Sequence, residues 1–142
     1  MVAVVEKWHE HVRGRLEGGL DVLLADDCVF LSPIVFSPQV GQAITKLYLT
    51  AASKTFPGDG SSDREGSTPS SGGSFTYVKE ILSGHHAVLE FETTIRGKYV
   101  NGIDMITCND AGQISEFKVM IRPLQAVNLI HEQMKAMLER LK

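Results

Sequence analysis

The sequence predicts an α+β fold in one domain, with helices first, an antiparallel sheet after them and a closing helix. Three observations predict it. Apolar residues recur at helical spacing through the N-terminal third, alternate at period two from residue 75 to residue 122, and return to helical spacing at the C-terminus. A chain of 142 residues suffices for one real core and is short for two, so a single domain is expected over 1–142.

In the first helix, Val5, Trp8, Val12 and Leu16 make the apolar stripe and Gly18-Gly19 ends it. Leu20 to Leu24 predict a short second helix. Ala25-Asp26-Asp27 is expected to turn the chain into the apolar run Cys28 to Val35, a strand that Pro33 restricts to an edge or irregular position. Ile44, Leu47, Tyr48 and Ala51 share one face of a third helix over Gln42 to Ala52. Residues 57–74 are rich in Gly, Ser, Thr and Pro and carry no large apolar side chain. They predict a flexible insertion, because such a segment buries too little surface to offset its ordering entropy. It also lacks the Gly-Lys-Ser/Thr ending of a phosphate loop.

The strands follow. Phe75 to Leu82 is the first; then Leu89, Phe91, Thr93 and Ile95 alternate with Glu90, Glu92 and Thr94. Turns at Gly97-Lys98 and Asn109 to Gly112 lead to strands over Tyr99 to Thr107 and Gln113 to Arg122, which makes an antiparallel meander. Pro123 suits a helix start, and Val127, Ile130, Met134, Met137, Leu138 and Leu141 form the stripe of the closing helix. That helix could cap the domain or pack on a second subunit.

Composition narrows the partners. A net charge of -3 with scattered Lys and Arg gives no reason to expect nucleic acid or an anionic membrane. The N-terminus has no basic segment leading into a long apolar run, and nothing approaches the roughly 20 apolar residues that span a bilayer, so a cytoplasmic address is expected. Cys28 and Cys108 sit in apolar runs and predict buried thiols rather than a disulfide. His9 and His11 diverge by about 200° on a helix, His85-His86 falls in a turn and His131 on a helix surface; neither a metal nor a cofactor is expected.

Asp104 stands out, a carboxylate within an apolar strand. An unpaired carboxylate in a dry site costs several kcal/mol or shifts its pKa until it neutralises, so it needs a partner or has a job. Strand alternation puts Gly102 and Ile106 beside it, with Leu89, Phe91, Phe117, Val119 and Ile121 on the same concave face. An apolar pocket with one convergent polar group is the usual form of a small-molecule site. Burial would raise the Asp104 pKa and make it a hydrogen-bond donor or proton shuttle; equally, it could accept hydrogen bonds from Trp8 or a first-helix His and tie helix to sheet. His11, next to Val12, could pair with Asp104 as a proton-transfer dyad, a solvated surface histidine being the plainer role. On the opposite face Ile103, Met105 and Met120, framed by Glu90, Glu92, Lys118 and Arg122, have the pattern of a homodimer interface; the plainer reading is a few scattered exposed apolar residues, or cover by the closing helix.

The segments Leu23-Leu-Ala-Asp-Asp-Cys-Val-Phe-Leu-Ser-Pro, Val88-Leu-Glu-Phe-Glu, Val100-Asn-Gly-Ile-Asp-Met-Ile and Gly112-Gln-Ile-Ser-Glu-Phe-Lys-Val-Met-Ile-Arg-Pro resemble, in order and spacing, the nuclear transport factor 2-like superfamily, in its ketosteroid isomerase-like and polyketide cyclase-like (SnoaL-like) branch. The resemblance implies a cone-shaped fold, a curved antiparallel sheet wrapped around N-terminal helices, with a pocket between them and frequent homodimers. In the ketosteroid isomerases that pocket uses a first-helix tyrosine, a general-base aspartate at the end of the first strand and a protonated aspartate. By resemblance Asp104 takes the protonated position, Ser32 the base position, and His11 or Val12 falls near the tyrosine. Asp104 and His11 are thus the candidate catalytic residues, with Trp8, Phe30, Ser32, Leu89, Phe91, Phe117, Val119 and Ile121 as pocket lining. A Ser hydroxyl cannot serve as base at neutral pH without an activating neighbour, which argues against steroid isomerisation by the family route. Two readings follow: a small-molecule pocket doing cofactor-free isomerisation, cyclisation or hydration through Asp104, or a non-catalytic binding or interaction module with Asp104 structural. The epoxide-hydrolase-like reading that the resemblance also implies would want an Asp-Arg-Asp arrangement with a water-positioning Tyr and Asn; Arg96 falls near a turn and no second pocket carboxylate is evident.

Overall fold

The computed structural model describes residues 1–55 and 75–141, so the expected insertion at 57–74 lies outside the described residues. Helix α1 spans Val2–Val12, α2 Leu20–Leu23, α3 Gln42–Thr55 and α4 Leu124–Leu141. The strands are β1 Leu24–Leu31, β2 Gln39–Val40, β3 Thr76–Ser83, β4 His86–Ile95, β5 Lys98–Cys108 and β6 Ile114–Arg122. They form one sheet in the order β2-β1-β6-β5-β4-β3. β3 to β6 is the expected antiparallel meander. β1, however, runs parallel to β6, so the sheet is mixed rather than wholly antiparallel. The connection from β1 to β6 runs through β2, α3 and the three strands β3 to β5, so it has ample length for a parallel pairing.

Local chemistry sets four boundaries away from expectation. Helix α1 ends at Val12, its last carbonyls met by the N–H groups of Arg13 and Gly14, and Gly14 leaves at φ 75°, so Leu16 packs against the core from outside the helix. Ala25-Asp26-Asp27 is not a turn but part of β1. Leu24 and Ala25 are buried, and the pairing with β6 shifts register between Leu24 and Val29, a bulge at which Asp26 and Asp27 both stay in solvent. The strand then stops at Leu31, before Pro33. Its outer neighbour is the short β2, so β1 is not an edge. Between β4 and β5 the turn is Arg96-Gly97, both at positive φ (51° and 77°), the geometry that matches the twist of a two-residue hairpin.

Two buried clusters hold the helices to one face of the sheet. The larger joins Val4, Val5 and Trp8 of α1 and Leu20 and Leu23 of α2 to Phe30, Leu49, Leu89, Ile106 and Phe117. The smaller puts Ala126 and Ile130 of α4 over Phe75, Phe91, Ile95 and Val100. The closing helix therefore caps the domain, resting on α3 and on the central strands β5 and β6. Both cysteines are buried and free. Gly102, on the same face of β5 as Asp104, cannot be enlarged: a Cβ there would lie 2.6 Å from the Met120 carbonyl oxygen and 2.6 Å from Phe91 Cζ. The missing side chain lets the Phe91 ring lie flat across β5.

Candidate functional site

A cavity of about 600 Å³ lies between the two clusters. Its floor is the concave sheet face, with Phe91, Asp104, Phe117, Val119 and Ile121. Trp8 and His11 come from α1, Phe30 and Ser32 from β1 and its exit, Tyr48 and Leu49 from α3, Ile130 and Met134 from α4. The lining is mostly aromatic and aliphatic, and its size falls within the range of small-molecule pockets.

Asp104 is 6% exposed and opens onto this cavity. Its Oδ2 accepts a hydrogen bond of 2.6 Å from the Tyr77 hydroxyl, and the Tyr77 oxygen accepts one of 2.9 Å from Trp8 Nε1. A three-residue chain thus runs from α1 through β3 to β5. Burial pushes the Asp104 carboxyl up to about 7, the Tyr77 hydrogen bond pulling the other way. Near neutral pH the group is part carboxylic acid, able to donate a proton or hydrogen bond.

The remaining candidates take distinct places. His11 lines the cavity, stacks at a tilt on Trp8 with ring centroids 5.3 Å apart, and is held below the usual imidazole value by burial, so it is neutral at pH 7. It makes no hydrogen bond to Asp104 among the described residues; the partner there is Tyr77. Trp8, Phe30, Phe91, Phe117, Val119 and Ile121 lie around the cavity. Leu89 does not: it stands directly across from Asp104 on β4 but is wholly covered in the larger cluster. Ser32 reaches the cavity wall, yet its Oγ accepts the backbone N–H groups of Ile34 (2.9 Å) and Val35 (3.2 Å), which fixes the turn after β1.

Tyr77 was not singled out by the sequence. Its signal is faint, a tyrosine in a strand pattern, and its link to Asp104 emerges only once β3 and β5 flank β4. His131, Lys135 and Glu139 on α4 also border the cavity. Among the described residues no group of three His, Cys, Asp or Glu side chains is placed to hold a metal ion, and no helix is long and apolar enough to cross a membrane.

The architecture has known counterparts. A steroid delta-isomerase from Pseudomonas aeruginosa matches with 30% identity and a TM-score of 0.82, over 99% of this chain and 92% of that one. The chain belongs to the nuclear transport factor 2-like superfamily. An uncharacterized protein with a cystatin-like fold from Silicibacter pomeroyi also matches, at 25% identity and TM-score 0.75, over 94% of this chain and 83% of that one. A nuclear transport factor 2-like protein of unknown function from Mesorhizobium loti shares the fold at 15% identity and TM-score 0.65, over 86% and 90% of the two chains. No protein-family model and no curated protein sequence matches the chain.

Proposed function

We propose that this nuclear transport factor 2-like protein binds a small, mainly apolar carbonyl compound and catalyses its isomerisation by cofactor-free acid–base chemistry. The observation that carries the reading is Asp104 in the cavity, hydrogen-bonded by Tyr77 and raised to about 7. A protonated carboxyl there donates to the carbonyl oxygen and stabilises the enolate that forms when an α-proton leaves. His11, neutral at pH 7 and in the same cavity, is the group to take that proton and return it at another carbon. The steroid delta-isomerase likeness supports an oxo compound as the substrate class.

One observation favours a second reading, a binding protein without turnover: Ser32, which the resemblance alone assigns to the base position of the ketosteroid isomerases, is committed to a turn. Trp8, the chain's single tryptophan, lines the cavity and reports binding in either case. Its fluorescence is titrated with polycyclic enones and with the matching hydrocarbons. The enone should bind about tenfold more tightly at pH 6 than at pH 9, the hydrocarbon equally at both. Asp104→Leu should remove the enone preference, and Asp104→Asn should keep it but without pH dependence. Equal, pH-independent affinity for enone and hydrocarbon in the unaltered protein sinks the reading; binding as described with no double-bond migration selects the second one.

The convex face supports a homodimer as the working form. Ile103 and Met105 are half-buried there, Met120 is exposed, and Glu90, Glu92, Lys118 and Arg122 frame them. Sedimentation at micromolar concentration should give twice the chain mass of 15.6 kDa; a monomer rejects this assembly.

A further inference from the structure

The indole N–H of Trp8 donates to the Tyr77 oxygen at 2.9 Å, and the Tyr77 hydroxyl donates to Asp104 Oδ2 at 2.6 Å. An indole nitrogen only donates, so the first link has a fixed direction. With its acceptor side occupied by Trp8, the phenol oxygen is a poor target for a second proton, and the Tyr77 proton points to Asp104. Oδ2 then receives a hydrogen bond, and the proton of a neutral Asp104 belongs on Oδ1. We propose that Trp8 is a positioning residue, which acts through Tyr77 to keep the acidic proton of Asp104 on the oxygen available to a ligand in the cavity.

The placement of the three residues supports this. Trp8 is 6% exposed and braced by Phe117, with ring centroids 4.8 Å apart, so its N–H cannot swing to solvent. Tyr77 sits edge-on to Phe75 and Phe91, with centroids 5.1 and 6.3 Å away, which fixes the phenol. Beside it His9 Nε2 and Glu80 Oε2 pair at 2.5 Å and clamp α1 to β3 one residue along from Trp8. The other titratable groups around the cavity are His11 on α1, Tyr48 on α3 and His131, Lys135 and Glu139 on α4. None makes a hydrogen bond to Asp104 among the described residues. The chain Trp8–Tyr77–Asp104 is therefore the route by which the helix acts on the carboxyl, and polarisation along such a chain strengthens each link.

The inference rests on the reading of Asp104 as the ligand's hydrogen-bond donor, and its test separates the two. The protein is made with 13Cγ-labelled aspartate, and the Asp104 resonance, identified by its loss in Asp104→Asn, is followed from pH 3 to pH 10. Tyr77→Phe removes a hydrogen bond to the charged form and should raise the midpoint by about one unit. Trp8→Phe keeps an aromatic ring beside Phe117 but removes the donor together with the five-membered ring of the indole; it should raise the midpoint by about half a unit. Because Trp8 acts through Tyr77, the double variant should match Tyr77→Phe alone rather than the sum. If Trp8→Phe is too unstable to titrate, benzothienylalanine at position 8 replaces the N–H with sulfur at nearly the same shape and carries the same expectation. A midpoint unmoved or lowered on loss of the Trp8 donor, or additive shifts in the double variant, overturns the relay and leaves the function standing. An Asp104 midpoint near that of an ordinary carboxylate in the unaltered protein overturns the function, while the differences between variants still decide the relay.

Discussion

Strand β5 buries two polar side chains three residues apart, one on each face, and they are partnered very differently. Asn101 is 7% exposed and Asp104 6%. The Asn101 amide donates to Glu90 Oε2 (3.0 Å) and to the Phe91 carbonyl (2.9 Å), and its oxygen accepts from Arg122 Nε at 2.8 Å. Asp104 has the Tyr77 hydroxyl as its hydrogen-bond partner among the described residues. Equal burial thus accompanies opposite accounting. The convex face satisfies its polar group and gains a staple across β4, β5 and β6. Among the described residues the concave face leaves a carboxyl with unused hydrogen-bonding capacity, opening onto the cavity.

The largest effect that tests this contrast is the pH dependence of stability. For a carboxyl raised from 3.8 to about 7, the folded state binds the proton more tightly than the unfolded one. Stability contributed by the proton is full below the unfolded value, falls as pH rises between the two values, and is flat above the higher one. At 1.36 kcal/mol per unit, the protein should lose roughly 3 kcal/mol between pH 5 and pH 8 relative to Asp104→Asn, whose side chain does not titrate. Urea unfolding of both proteins at the two pH values measures this. A constant difference would mean that Asp104 is as well solvated or partnered as a surface carboxylate, and the contrast with Asn101 would break.

Next in size is Asn101→Leu. It strips Arg122 and Glu90 of a shared partner and should cost about 2 kcal/mol, equally at pH 5 and pH 8, with the denaturant slope unchanged. A pH-dependent cost would show that the two faces of β5 are coupled rather than separate.

The sequence made Asp104 conspicuous and left Asn101 ordinary, for physical reasons. A carboxylate violates the apolar pattern of a buried strand by itself, whereas an amide's role depends on neighbours from two other strands. The same limit hid Tyr77, which meets Asp104 only because β3 and β5 flank β4 and Gly102 lets the intervening Phe91 lie flat. Period-two alternation placed the meander β3 to β6 and helical spacing placed α3 and α4, since each pattern is local. The parallel β1–β6 pairing, the two-residue β2 and the bulge at Asp26-Asp27 carry no such local mark; they arise when distant segments find each other. Leu89 was misplaced for a related reason. Alternation gives the face of a residue, not whether a helix covers it.

Ser32 offers the smallest and sharpest test, because resemblance gives it a chemical position while its contacts give it a structural one. Its Oγ satisfies two backbone N–H groups that the turn leaves free, the same complete accounting as Asn101 on a smaller scale. Ser32→Ala should therefore cost about 1 kcal/mol in urea unfolding, without pH dependence, and leave the Asp104 midpoint and the enone preference unchanged. Ser32→Asp should restore most of that stability, since a carboxylate can accept the same two N–H groups. A lost enone preference in Ser32→Ala at undiminished stability would reverse the assignment, and would place a second ligand-facing polar group beside Asp104 in the cavity.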